Sequence, residues 1–370
     1  MWFFLSPHLV YGEDALDFLD NIIGEKCFVV SDKILQELGL LKILTDKIDS
    51  LGKKYVLFTE VKPDPHMEDV LDAKDQCFEF EPDMIIALGG GSVMDTAKVV
   101  WCLYENPDFV PDDIHAFRND LYDMGKKAKF VTIPTTSGTG AELTNVAVIS
   151  RFEDNIWKKA FFLHKGLTAN WAIIDPKFPL NMPPKLTADT GFDALSHSME
   201  CLVSLWKNEF SNGLALKSIE LIFKWLPIAV KDGKNMEARD NMHQAAAMAG
   251  LAFGNAQVQI AHTLGHTWGA LYHVPHGRAV GVALVYATQF ALNNPDDDTA
   301  MKEYSKLAKQ LGWAKWEDDD KKAAYIVIDK VKELQKQCDF PSNFKDTGIS
   351  KEDFEQNLDT LVTLCFGDSS

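Results

Sequence analysis

Long apolar runs are missing from this chain. None of its stretches approaches the roughly 18 consecutive apolar residues that a membrane-spanning helix requires. The opening stretch MWFFLSPHLVYGEDALDFL has neither a basic n-region nor a long apolar core, so it is not expected to be a signal peptide. Paired cysteines are lacking too. Cys27, Cys77, Cys102, Cys201, Cys338 and Cys365 include no CxxC spacing, which excludes a zinc ribbon or a thioredoxin-type site. Scattered thiols of this kind suit a reducing compartment, so the expected location is the cytoplasm. There is also no basic run. Lys plus Arg is 37 against 54 for Asp plus Glu, a net charge of −17, which argues against nucleic-acid or membrane-surface partners. Internal repeats and low-complexity tracts are absent.

What is there is ample for two cores. The chain has 370 residues and is 46% hydrophobic, more than a single core usually organises. Its first half alternates short β-branched runs with helical patterns. The runs are Lys26–Asp32, Lys53–Val61, Met84–Gly91, Lys129–Thr136 and Ala172–Pro176, and Met67–Phe80 has apolar residues at helical spacing. Near-continuous apolar strands between helices predict a parallel sheet covered on both faces. From Pro183 onward the pattern is helical, as in Leu186–Ser204, Gly213–Val230, Ala238–Ala256 and Asp320–Cys338. Proline concentrates in PKFPLNMPPK, so the expected division is an α/β domain over 1–180 and an all-helical domain over 181–370.

ALGGGSVMDTAK (Ala87–Lys98) sets three glycines between an apolar run and a helical pattern opening at Ser92. Glycine allows close backbone approach, and a helix N-terminus offers free N–H groups and partial positive charge to a pyrophosphate. The motif is not GxGxxG, and a tight structural turn is the competing reading. PTTSGTGAE (Pro134–Glu142) is a second loop of small hydroxyls and glycines, able to wrap a cofactor or simply to be an ordered loop. Asp32 ends the first apolar run. An acid there can bind ribose hydroxyls and repel a 2′-phosphate, or it can cap the helix that follows.

The second half holds ligand-type residues at helical spacing. Asp193 and His197 lie four apart, as do His262 and His266, so each pair shares one helix face; His276 follows in VPHG. A carboxylate with three imidazoles suits a divalent transition metal such as iron or zinc. Spacing alone leaves open which members bind, and His243 and His273 can pack or cap.

These segments occur in an order that resembles the iron-containing alcohol dehydrogenase family, the group with lactaldehyde, 1,3-propanediol and butanol dehydrogenases. The shared motifs are Ser31–Lys33, Pro63–Pro65, Gly89–Lys98, Pro134–Glu142, Gly191–Glu200 and Ala261–Gly277, spanning nearly the whole chain. The resemblance implies a dehydroquinate synthase-like fold, with a dinucleotide-binding α/β domain, an all-α metal-binding domain and an active site in the cleft between them. It implies one Fe2+ or Zn2+ on Asp193, His197, His262 and His276, with His266 beside the metal as proton relay or substrate contact. It implies dinucleotide contacts from Asp32, Gly90, Gly91, Ser92, Asp95, Thr135, Thr136, Ser137, Thr144 and Lys159, with NAD expected over NADP. The implied reaction is hydride transfer between the nicotinamide and a small primary alcohol or aldehyde, in a homodimer or larger homo-oligomer. Trp171, Gln259 and Thr267 depart from residues frequent in the family and bear on substrate identity. Two rivals remain at this level. One is a lyase of the dehydroquinate synthase type, which also combines NAD with a metal. The other is a nucleotide-binding regulatory protein with a structural metal.

Overall fold

The computed structural model describes residues 3–118, 124–153 and 156–368, and it divides into two units, Met1–Pro179 and Leu180–Ser370. The first unit runs β1 (His8–Tyr11), β2 (Lys26–Val30), α1 (Lys33–Glu37), α2 (Leu40–Ser50), β3 (Lys54–Phe58), α3 (Met67–Phe80), β4 (Met84–Gly89), α4 (Gly91–Glu105), β5 (Lys129–Pro134), β6 (Val146–Glu153), β7 (Ile156–Leu163) and β8 (Trp171–Ile174). Six of these strands form a parallel sheet in the order β1-β8-β5-β4-β2-β3. β4 is buried at every position, which explains its unbroken apolar sequence. Its side chains alternate between faces. Ile85 and Ala87 join a core with Val70, Ala97 and Trp101 from α3 and α4. Ile86 and Leu88 join a second core with Leu41 and Leu44 from α2.

The strand order places a ligand crevice. From β2 the chain steps outward to β3, then returns past β2 to β4 on its other side. Connections that leave neighbouring strands in opposite directions open a crevice at the carboxyl ends, here between Asp32 and the glycines after β4. Close packing requires glycine at position 89 and leaves little room at 91. A Cβ on Gly89 would come within 2.9 Å of Val93 Cγ1, and one on Gly91 within 3.1 Å of Thr139 Cγ2.

Two features of this unit went unread in the sequence. β1 is a four-residue edge strand beside β8. β6 and β7 form a separate antiparallel ribbon, joined to α4 by the Val148 N–H, which donates to Asp95 Oδ2 at 2.9 Å.

The second unit is α5 (Pro184–Val203), α6 (Glu209–Lys231), α7 (Met236–Gly254), α8 (Ile260–Tyr272), α9 (His276–Leu292), α10 (Thr299–Gln310), α11 (Asp320–Gln337), α12 (Lys351–Gln356) and α13 (Leu358–Gly367), with no strand among the described residues. α5 begins on Pro183 and Pro184, where proline's fixed φ suits a first turn. It is buried continuously from Gly191 to Leu202, so it forms the axis around which α6, α7 and α9 pack. Two glycines set how closely the neighbouring helices approach. A Cβ on Gly265 of α8 would lie 2.9 Å from the Val280 Cα of α9, and one on Gly277 of α9 would lie 2.9 Å from the Asp189 carbonyl carbon of α5.

Gly277→Ala is therefore expected to push α9 off α5, costing about 1–3 kcal/mol of stability through overpacking and displacing His276 from Asp193. Thermal unfolding together with metal content per chain measures both effects. Wild-type values for both would show that the close approach is not needed.

Candidate metal centre and dinucleotide crevice

α5, α8 and α9 each bring ligand-type atoms to one point. One atom each from Asp193, His262 and His276 lies within 4.8 Å of the other two. From Asp193 Oδ1 it is 3.4 Å to His276 Nε2, 3.7 Å to His262 Nε2 and 4.0 Å to His197 Nδ1. His197 lies at the margin of the group, its ring stacked between Phe253 and His262 at centroid distances of 4.0 and 4.4 Å.

The donor set fits a divalent cation. Asp193 Oδ1, His197 Nδ1 and His262 Nε2 are buried with no hydrogen-bond partner. Each such orphan costs about 1–3 kcal/mol unless something else satisfies it. Tetrahedral ligands at bond lengths of about 2.1 Å stand about 3.4 Å apart, the scale of the separations seen here. Asp193, His197 and His262 are enclosed, whereas the His276 side chain is 42% exposed.

Burial and charge compete at the centre. Burial drives His197 well below the ordinary imidazole range. Burial alone would raise the Asp193 carboxyl, but the imidazoles of His197, His276 and His262 hold it well below the usual carboxylate range. Burial also pulls His262 down, yet Glu200 and Asp193 outweigh it and lift the ring to about 9. His266 is one turn beyond His262, stacked on His276 at 5.2 Å, with Nδ1 3.2 Å from Asp368 Oδ2. His276 is the first residue of α9 rather than part of a turn. His273 is the C-cap of α8 at φ 55°, and His243 is buried on α7.

At the crevice, α4 starts after Gly90 with no side-chain cap, leaving the Gly91 and Ser92 N–H groups at its open end. The Thr135 N–H donates to Gly89 O at 2.9 Å, which binds the Pro134–Glu142 loop to the glycine loop. Thr136 lies against Gly90, and Thr135 and Ser137 are buried in the same loop. Asp32 is the N-cap of α1, Oδ1 accepting from the Leu35 N–H at 2.9 Å, and burial raises its carboxyl. Asp95 serves β6, and Thr144 Oγ1 accepts from Lys98 Nζ at 2.9 Å. Lys159 lies on β7 opposite Ser150, with its ammonium on Asp64.

Several residues around these sites carried no assignment from the sequence. Glu200 is buried on α5 and bonds His262 Nδ1, while its other oxygen accepts from the Ala261 N–H at 2.6 Å. Its spacing was a usable signal, since Asp193, His197 and Glu200 fall on one stripe of α5. Asp189 extends that stripe and receives a bidentate Arg278 guanidinium at 3.0 and 2.6 Å, clamping the first turn of α9 to α5. Under the crevice, burial lowers Lys98 to about 8 and raises Glu142 to about 7.

Comparison with known proteins covers both units. The model described as iron-containing alcohol dehydrogenase matches residues 6–176, and that for the C-terminal part of the Fe-containing alcohol dehydrogenase family matches residues 187–365. The chain is 35% identical to the NADPH-dependent butanol dehydrogenase of Clostridium saccharobutylicum, over 100% of this chain and 92% of that one. It is 34% identical to the aldehyde-alcohol dehydrogenase of Streptococcus pneumoniae serotype 4, over 99% of this chain and only 43% of that longer protein. Among solved structures it is similar to the alcohol dehydrogenase from Oenococcus oeni, with a TM-score of 0.90 and 28% identity over 100% of this chain and 94% of that one.

Glu200 orients His262 in the manner of a carboxylate behind a metal-binding imidazole. Glu200→Gln is expected to weaken metal binding about 10–100-fold, read by chelator competition. An unchanged affinity would reduce Glu200 to a core residue.

Proposed function

The chain belongs to the iron-containing alcohol dehydrogenase family, and from that premise we propose that it interconverts a small primary alcohol and its aldehyde, with NAD(H) as partner and a divalent metal on Asp193, His197, His262 and His276. The reading rests on one observation above all: a buried carboxylate oxygen and two buried imidazole nitrogens, none with a partner, converge beside the Nε2 of His276. Relatives named as butanol and 1-propanol dehydrogenases support the substrate class. With relatives that are alcohol and aldehyde dehydrogenases, a lyase of the dehydroquinate synthase type is not favoured.

The metal, when bound, supplies Lewis acidity toward the substrate oxygen. The nicotinamide supplies the hydride acceptor or donor. Three imidazoles and a carboxylate accommodate either Fe2+ or Zn2+. Glu200 fixes the His262 ring, and the Asp189–Arg278 pair fixes the turn that carries His276. His266 takes or returns the substrate proton at Nε2. In the crevice, the Gly90, Gly91 and Ser92 backbone would hold the pyrophosphate at the open end of α4, with the Thr135, Thr136 and Ser137 loop tied beside it. Asp95, Thr144 and Lys159 are engaged by protein partners, the Val148 N–H, Lys98 and Asp64 respectively.

NAD is favoured over NADP because Asp32 stands at the end of β2. A carboxylate has about four acceptor sites, so capping α1 leaves it able to receive ribose hydroxyls, while its charge repels a 2′-phosphate. Among the described residues no helix is long and apolar enough to cross a membrane. Six unpaired cysteines suit the cytoplasm. The exposed Leu9 and Tyr11 on edge strand β1 support assembly as a homodimer or larger homo-oligomer.

Protein reconstituted with Fe2+ or Zn2+ is expected to consume NADH with at least one of acetaldehyde, propanal and butanal, and His262→Ala to lose both metal and activity. Stoichiometric metal retained at this site by His262→Ala would refute the ligand set. In Asp32→Gly, kcat/KM for NADPH should rise relative to NADH by about tenfold, roughly 1.4 kcal/mol. A wild type that prefers NADPH, or a ratio unmoved by the substitution, would leave Asp32 as a helix cap alone.

A further inference from the structure

Beyond the ligand set, a carboxylate from the far end of the second unit reaches the same place. Asp368 follows α13 and has a side chain only 8% exposed, with Oδ2 3.2 Å from His266 Nδ1. The pair is 102 residues apart in sequence, so the contact is made by the fold. The α12–α13 segment is held against α8 at several points. The Tyr272 hydroxyl donates to Asp353 O at 3.0 Å, Leu361 is buried in the helical core, and Cys365 Sγ lies 3.3 Å from Thr267 Oγ1. Asp368 N–H closes on Cys365 O at 3.3 Å, which turns the chain so that the carboxylate faces α8.

We propose that Asp368 is a positioning residue that holds His266 in the tautomer with the proton on Nδ1, leaving the Nε2 lone pair for the substrate proton. An ionised carboxylate can only accept, so the atom facing it must carry hydrogen. The choice matters because a neutral imidazole has one basic nitrogen, and the tautomer decides whether that nitrogen is Nδ1 or Nε2. Stacking on His276, with centroids 5.2 Å apart and planes 21° apart, fixes the plane of the ring but not which nitrogen carries the proton. Asp368 supplies the missing distinction. In alcohol oxidation the O–H proton moves to Nε2 and its electron pair stays on oxygen. Bound NAD+ would supply the acceptor for the hydride that leaves the carbon with its pair as the C=O bond forms. The imidazolium then keeps its Nδ1–H bond to Asp368, strengthened by charge. This assignment rests on the reading of His266 as the proton carrier.

A double-mutant cycle in the zinc-loaded enzyme tests it, using Asp368→Ala, His266→Ala and the double variant, with Asp368→Asn as an isosteric control. Asp368→Ala is expected to lower kcat by at least about tenfold, with metal content and cofactor KM unchanged, and to have no further effect in the His266→Ala background. Asp368→Asn should fall at least as far, because its amide can donate to Nδ1 and favour the wrong tautomer. Nitrogen NMR of histidine-labelled protein should show His266 protonated on Nδ1 in the wild type and as a tautomer mixture in Asp368→Ala. Equal losses in both backgrounds, or no loss at all, would overturn the proposal. Full turnover in His266→Ala would remove the relay reading by itself, and an unchanged tautomer ratio in Asp368→Ala would then overturn the Asp368 contact separately.

Discussion

The helical unit is organised around one buried negative charge. Asp193 lies on the most enclosed stretch of α5, where an uncompensated carboxylate is costly. It is tolerable there because three imidazoles face it, His197 from one turn along α5 itself and His262 and His276 because α8 and α9 come close. That closeness depends on Gly265 and Gly277, where any side chain would meet a neighbouring backbone. The Arg278–Asp189 clamp and the Glu200–His262 bond then remove the remaining freedom. Each device makes sense only given the charge at the centre, and together they leave nitrogen and oxygen atoms without partners in a place where folding would ordinarily satisfy them.

The α/β unit presents the opposite polarity, a helix start whose backbone N–H groups suit an anion rather than a cation. Gly89 to Gly91 keep side chains out of the carboxyl end of β4, and α4 opens with uncapped N–H groups. The adjoining loop is tied to the same strand by the Thr135–Gly89 bond. Supporting side chains such as Asp95 and Lys98 are spent on the β6 backbone and the Thr144 hydroxyl, so rigidity is supplied by protein partners and the surface of the crevice stays small-featured.

Much of this was legible in the sequence, for definite reasons. Strands buried on both faces, such as Met84–Gly89, read as unbroken apolar runs, and Met67–Phe80 shows its helical period directly. Asp193 with His197, and His262 with His266, were visible because a helix maps spacing onto geometry. What stayed hidden has a common cause. β1 is short and mostly exposed to solvent, and the β6–β7 ribbon mixes lysines into its apolar residues, so neither carries a clean period. Glu200 sits inside a recognisable motif, but its partners are 61 and 62 residues away; Asp368 and Arg278 likewise take meaning only from helices brought to them by folding. Asp32 shows the converse. Both of its readings were available, and the cap is what the fold displays directly.

The uneven burial of the four ligand candidates has a kinetic consequence. Three of them are locked inside the helical core, and His276 alone is substantially open to solvent, at the positive end of α9. In a metal held by all four, the enclosed members would set the affinity and the accessible one the rate of exchange, since a competing chelator or an incoming ion would meet His276 first. Such a centre would be hinged on one side, durable at equilibrium and labile along a single direction.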